Sequence, residues 1–342
     1  MSEQVESSLK KRPSISDVAL AAGVSKAAVS KVIRNAYGVS PAMRERVETA
    51  IDQLSYRPRL AARVMRGESF TIGFEVPHLG NDFFTQITEG AASRLAGSGY
   101  QLIIAPGLGY LSGTSVLDAL VDRQVAGIIA ISAEVDSDWL ERLAEHVPMV
   151  LLGRHDRAKE YDTVTDNDKS GVNLVMDHLF ELGHKRIAHL TNQPPTDTAP
   201  QSVRLTAYRT RMKQAGNKPQ IAFSAASEQG AYDTARDLFD DEDPPTAIFA
   251  GNDTLAIGVL RAIADRGLTA DDVSVVGYDN IDLAAHPLIS LTTVDQFGVE
   301  MGRTAIDLLM ERMRGGRTTP KHHRTKPQLR IRNSSRIVHQ PC

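Results

Sequence analysis

Between Ser14 and Leu54 the apolar residues of this chain return every three or four positions, in three short runs. From Phe70 onward they come as unbroken clusters separated by amphipathic stretches. The first texture predicts short helices, the second parallel strands buried on both faces. Ser14, with Asp17 three positions on, starts a helix over 15–22, with Val18, Ala19 and Ala22 on one face. Gly23 offers the left-handed backbone of a tight turn, and Val24 fills the angle. Ser25 caps a second helix over 26–34, whose Ala28, Val29, Val32 and Ile33 point inward. A third starts at Ser40-Pro41, with Pro at its first position, and turns Val47, Ala50, Ile51 and Leu54 inward. Helices this short do not stand alone. Small inward residues let the first two cross closely, the pattern of a helix-turn-helix. The second helix then presents Lys26, Ala27, Ser30, Lys31 and Arg34 outward, a face that fits a major groove. The competing reading is a plain three-helix bundle with a solvated basic face.

In the second region FTIGFEV, YQLIIA, GIIAIS, PMVLLG, RIAHL, TAIFA and VSVVGY predict strands. Helices are expected at 84–97, 114–123, 137–145, 169–182, 202–215, 229–239, 252–266 and 297–314. The alternation argues a parallel α/β fold with right-handed crossovers. About 270 residues is large for one sheet, so two lobes with a cleft are expected. Open α/β sheets bind ligands beyond the carboxyl ends of their strands. Asn81, Phe83, Phe84, Arg154, Asn252, Asp279 and Gln296 all follow such ends. Amides, carboxylates and a guanidinium beside an aromatic face suit vicinal hydroxyls and an apolar ring face. Each also has a plainer reading: Asn252 and Asp253 can cap a helix, and Asp279 can hold a turn.

Charge separates the two regions. Residues 1–66 hold 12 Lys/Arg against 6 Asp/Glu, a net +6, while the remaining residues hold 27 against 36, a net −9. A basic head on an acidic body places one end against a polyanion. The single cysteine, Cys342, cannot staple a fold, so a reducing compartment is expected. No apolar run approaches a membrane span and the first residues, MSEQVESSLKKRPS, lack a secretion signal, so the expected location is cytoplasmic, on the nucleoid when bound to DNA.

The residues DVALAAGVSKAAVSKVI, followed by VS, RERV, AI, L and YRP with AAR beyond, resemble the DNA-binding head and hinge of the LacI/GalR transcriptional regulators, from Ser14 to Arg63. NDFFTQITEGA, DHLFELGHKRIAHL, AIFAGNDTLAIGVLRAIADRGL, DVSVVGYDN and PLISLTTVDQ are similar to the core of the same family, itself like periplasmic sugar-binding proteins. The resemblance implies an all-α helix-turn-helix head plus an α/β two-lobed periplasmic-binding-protein-like core with parallel sheets. It divides the chain into a disordered tail (1–13), a head (14–58), a hinge helix and linker (59–69) and a core (70–342). The lobes would be about 70–166 with 297–326, and 167–296 with 327–342.

The same resemblance implies DNA contacts from Ser14, Ser25, Lys26, Ala27, Ser30, Lys31, Arg34, Asn35 and Tyr56. From the hinge it adds Arg59, Ala62, Arg63 and Met65. Lys26 and Ala27 stand at the positions that specify the operator. Lys can donate to guanine, whereas Ala can only pack on a thymine methyl. Met65 stands where the family usually has Leu and is apolar enough to wedge into a minor groove. Arg59 replaces the usual Asn, and Gly38 has no side chain with which to read a base. Arg204 takes the position of the family's ligand-clamping arginine and completes the effector set. Asp82 stands in place of Pro, Gly153 in place of an acid, and 221–228 offers no stacking ring other than Phe223.

Other signals carry less. Gly107 to Gly113 reads GLGYLSG, a weak match to a dinucleotide loop. His178, His184 and His189 lack metal-ligand spacing, and His322-His323 fall in a Lys-rich stretch expected to be a solvated connector. There is no nucleotide-binding Lys-Ser/Thr loop and no nucleophile elbow. The expectation is a non-enzymatic, cofactor-free regulator, a repressor rather than an activator. It would be a homodimer, since no leucine heptad follows Arg332, and would bind a near-palindromic operator under control of a small effector, a carbohydrate first. A nucleobase or small acid acting as corepressor is the alternative, and an NAD-dependent dehydrogenase the distant one.

Overall fold

The computed structural model describes residues 13–34, 36–57, 69–107, 113–131, 135–194, 196–315 and 317–338. The expected N-terminal tail, Asn35, and the hinge with Arg59, Ala62, Arg63 and Met65 lie outside the described residues. The chain divides into two compact units, Met1–Ser69 and Phe70–Cys342.

The first unit holds three helices, α1 (Ile15–Ala22), α2 (Lys26–Ile33) and α3 (Pro41–Gln53). Ser14 and Asp17 close a capping box at 2.7 Å, and the Ser25 and Ser40 hydroxyls accept the N–H groups of Ala28 and Met43. Gly23 ends α1 in the left-handed region at φ 64°, where a Cβ would be strained. Val18, Val29 and Val47 are fully buried, and Ala22 and Ala50 nearly so, so three helices share one small core.

The second unit contains two six-stranded sheets. In the first, the strands are β1 (Thr71–Val76), β2 (Gln101–Pro106), β3 (Gly127–Ala130), β4 (Met149–Leu152), β5 (Asp162–Asp166) and β11 (His322–Thr325), all parallel in the order β11-β5-β4-β3-β1-β2. Between them run α4 (Asp82–Leu95), α5 (Thr114–Asp122) and α6 (Ser137–Ala144). The second sheet is β12-β10-β9-β8-β6-β7, built from β6 (Ile187–Asn192), β7 (Gln220–Ser224), β8 (Ala247–Ala250), β9 (Ser274–Asp279), β10 (Thr292–Asp295) and β12 (Gln328–Arg330). There only the β10–β12 pair is antiparallel. Its helices are α7 (Asp168–Glu181), α8 (Pro200–Gln214), α9 (Glu228–Phe239) and α10 (Asp253–Asp265), with a 3-10 turn at Asp282–Ala285. The chain passes between sheets three times: after β5, after β10 through α11 (Gly298–Met313), and between β11 and β12. α11 returns to the first sheet and packs on α4, where Cβ atoms at Gly90 or Gly302 would overlap backbone carbonyls of Val299 or Ile87.

Three features differ from the sequence expectation. The run YQLIIA, expected to be buried on both faces, is the edge strand β2, with Ile103 and Ile104 38% and 46% exposed. DTVTD reads as polar yet forms β5, buried along its whole length, because Arg312 and Arg317 neutralise Asp162 and its neighbours pair on both sides. His322 and His323 are no loop but the start of β11, where His322 meets the Thr163 hydroxyl at 2.9 Å.

Candidate functional site

In the first unit, α2 turns Val29 and Val32 into the core and leaves Lys26, Ala27, Lys31 and Arg34 exposed, with Ser30 half-buried. Arg34 folds back so that its Nε donates to the Ser30 carbonyl at 3.1 Å. Ser14 and Ser25 serve as caps, their hydroxyls held by Asp17 and the Ala28 N–H. Tyr56 departs from its expected place at a DNA face. It is 7% exposed and its ring belongs to the core with Val18 and Val47. The exposed aromatic of this unit is Tyr37, a residue the periodicity could not single out because it lies between helices.

In the second unit, a cavity of about 450 Å³ opens between the carboxyl ends of the two sheets. Seven of the eight expected effector residues line it: Asn81, Phe83, Phe84, Arg204, Asn252, Asp279 and Gln296. Arg154 is not among them. Its guanidinium is buried in the first lobe, held by Asp156 at 2.6 Å, the Ser137 hydroxyl at 2.8 Å and the Val135 carbonyl. Phe223 is likewise absent from the lining and points to the surface, 46% exposed.

The caps and the cavity share residues. Asn81 accepts the Phe83 N–H at 3.0 Å as the N-cap of α4, and also donates to Asp279. Asn252 accepts the Leu255 N–H at 2.9 Å as the N-cap of α10, so its second amide group remains for the cavity it lines. The capping role of these residues does not exclude the expected binding role, since one amide has two ends. Asp279 adopts φ 124°, a strained conformation for a side-chain-bearing residue. Gln296 donates to it at 2.5 Å. Burial pushes the Asp279 carboxyl up to about 7, against the opposing charge of Arg204.

Arg204, 6% exposed, emerges from the first turns of α8 after Pro200. Its Nε donates to Asp168 at 2.5 Å and its Nη1 to the Gly251 carbonyl at 2.8 Å, while its plane lies 3.7 Å over the Tyr278 ring. Asp168 takes His155 on its other oxygen at 2.6 Å. Burial opposes the charged form of Asp168, but Arg204 and His155 outweigh it and hold the carboxyl below its usual value. Burial and the Asp168 charge push Asp166 well up, and Tyr278 donates to it at 2.5 Å. Gly171 makes room for that hydroxyl, which a Cβ would overlap.

Sequence reasoning missed Glu75, His78, Asn192, Gln193 and Gln201 in the lining. Glu75 was hidden inside the apolar run FTIGFEV, where a lone acid was the available signal. Gly107 and Gly113 also line the cavity, whereas the rest of GLGYLSG lies outside the described residues. His178, His184 and His189 are internal: His178 meets the Ser335 hydroxyl, His184 meets Thr246 and Ser274, and His189 donates to the Phe249 carbonyl. Among the described residues no group of three His, Cys, Asp or Glu could hold a metal, and no helix is long and apolar enough to cross a membrane.

Residues 14–59 match the profile of bacterial regulatory proteins of the lacI family, and residues 176–335 that of a periplasmic binding protein-like domain. The HTH-type transcriptional repressor PurR of Photobacterium profundum is 32% identical over 328 residues, 94% of this chain and 98% of the relative. The chain belongs to the LacI family. The ribose operon repressor of Escherichia coli (strain K12) is also 32% identical, over 305 residues that make up 87% of this chain and 92% of that one. Among solved structures, the lac repressor dimer bound to operator and the anti-inducer ONPF superposes with a TM-score of 0.80 at 26% identity, covering 95% of this chain and all of the other. This LacI-family protein is a DNA-binding transcription regulator with a helix-turn-helix head and a two-lobed core, and it is not an enzyme.

Proposed function

We propose that this LacI-family regulator is a homodimeric repressor whose grip on a near-palindromic operator is set by a small carbohydrate in the interlobe cavity. The observation that carries the reading is the cavity: Arg204, Asp279, Asn81, Asn192 and Gln296 surround it with donors and acceptors, and Phe84 and His78 give it an aromatic side. That combination recognises hydroxyls on an apolar ring. The similarity to a ribose operon repressor points the same way.

In the head, Lys26 and Ala27 face base edges while Lys31 and Arg34 meet phosphates, as the exposed side of α2 favours. Arg59, Ala62, Arg63 and Met65 contribute from the hinge. The exposed apolar residues on both terminal strands, Ile103 and Ile104 of β2 and Phe223 of β7, favour a second copy of the chain as their cover. The similarity to an operator-bound lac repressor dimer supports the same assembly. Two-fold symmetry of the protein then asks for two-fold symmetry of the site.

The test combines a thermal-shift screen of sugars with anisotropy on duplexes from the protein's own promoter region. A sugar that raises the melting temperature by linkage and changes operator affinity supports the reading. Binding to no duplex at low ionic strength, with or without sugars, would overturn it.

A further inference from the structure

Several polar side chains on the second-lobe wall of the cavity already have partners. Arg204 is held by Asp168 and the Gly251 carbonyl, Asp279 by Gln296, and Asn252 by the Leu255 N–H. Gln201 is different. It lines the cavity, and its Oε1 is buried with no hydrogen-bond partner among the described residues. Of the buried side-chain atoms in that condition among the described residues, Gln201 Oε1 is the one that belongs to the cavity lining.

The start of α8 offers this oxygen an obvious alternative, and the fold does not take it. The N-cap, Ala199, has no side chain with which to cap the helix, and the N–H groups of Ser202 and Val203 turn to its carbonyl instead. The Gln201 amide oxygen accepts neither of them. Nor is the turn free to carry the amide out to water. Ala199 is fully buried, the Thr198 carbonyl accepts the His155 N–H of the first lobe at 3.1 Å, and Pro200 fixes its own backbone angle. Arg204 follows one turn later on the same face of the helix and lines the same wall. A buried acceptor without a donor is destabilising relative to one left in water. A glutamine facing solvent would avoid that cost, so its place in the wall indicates that a ligand completes it.

Resting on the carbohydrate reading, we propose that Gln201 is a specificity residue of the cavity, which reads one hydroxyl of the sugar by accepting its hydrogen at Oε1. The ligand is then a polyol with a free hydroxyl at that position, and the same sugar carrying hydrogen or fluorine there is disfavoured. Neither replacement brings a donor, so the acceptor stays buried and unpaired in the complex. A hydroxyl supplies the missing donor.

The experiment uses the full-length protein and two variants that remove the acceptor while keeping the bulk of the side chain, Gln201→Met and Gln201→Leu. Isothermal titration with ribose, xylose, glucose and galactose finds the best binder, and the monodeoxy and monofluoro derivatives of that sugar are then titrated in turn. For the parent protein, one position is expected at which both replacements weaken binding by about tenfold or more. In the variants the unmodified sugar should weaken by a similar factor. Derivatives altered at that position should lose nothing further, because the partner they fail to meet is already gone. Without ligand, the variants should melt above the parent by about 2 °C, since they delete a buried acceptor that has no donor. A merely structural glutamine would not combine a higher melting temperature with weaker sugar binding. A ligand-free melting temperature that rises in neither variant overturns the proposal, because Oε1 is then satisfied within the protein. A bound sugar whose affinity neither variant changes overturns it too, and the carbohydrate reading survives both results. Silence from every sugar, with operator binding retained, overturns the carbohydrate reading and this proposal with it.

Discussion

Arg204 donates through Nε to Asp168 at 2.5 Å, with the two side chains 7% and 0% exposed. The ion pair belongs to the cavity wall, and its acid also takes His155 from the first lobe. The arginine expected to clamp an effector is thus anchored by an acid that does not itself line the cavity. Removing the acid alone leaves a buried cation without its partner. Asp168→Ala is expected to cost about 3–5 kcal/mol in urea unfolding, and an Arg204→Met/Asp168→Leu double variant distinctly less. Equal losses in the single and double variants would remove the ion-pair explanation.

On the proposed reading, the exposed side of α2 divides into a base-reading and a phosphate-reading part. Lys26→Ala is expected to change which operator sequences are preferred, whereas Lys31→Ala should weaken all duplexes alike and reduce the salt slope by about one. Anisotropy on operator variants across a salt series checks both. The same uniform loss from the two changes would defeat the division.

Asp279 supplies a pH signature. Its folded value is about 7 and its unfolded value 3.8, so the folded state holds the proton to higher pH. The contribution is full below about pH 4 and is lost as pH rises to about 7. Asp279→Asn removes that slope. Melting curves should therefore show the parent losing ground to the variant between those limits and running parallel to it above them.

The contact of α4 with α11 depends on two glycines. Gly302→Ala would drive a Cβ into the Ile87 carbonyl, which is backbone and cannot swing away. A loss of about 1–3 kcal/mol in denaturant unfolding is expected. No loss would mean that the helices separate at little cost.

Much of this architecture was legible because it follows from local rules. The three head helices show their caps at Ser14, Ser25 and Ser40 and their inward Val and Ala at helical spacing. All eight core helices expected from periodicity are present within two residues at each end. Asn81, Asp279 and Gln296 could be proposed because they follow strand ends, where α/β sheets open.

What the chain alone could not give were relationships between segments far apart. β5 and β11 are polar, and they are strands because Asp162 finds Arg312 and Arg317, and His322 finds Thr163, more than a hundred residues away. Arg154 and Tyr56 carry suitable chemistry at suitable positions, yet Asp156 claims the one and the head's core the other. Glu75 shows the reverse: an unremarked acid in an apolar strand becomes a cavity residue once β1, β3 and the second lobe are assembled. Caps and periodicities are energies between near neighbours in sequence and can be read there. Which polar group is neutralised, and which is left facing a ligand, is settled only by the partners that folding brings within hydrogen-bonding distance.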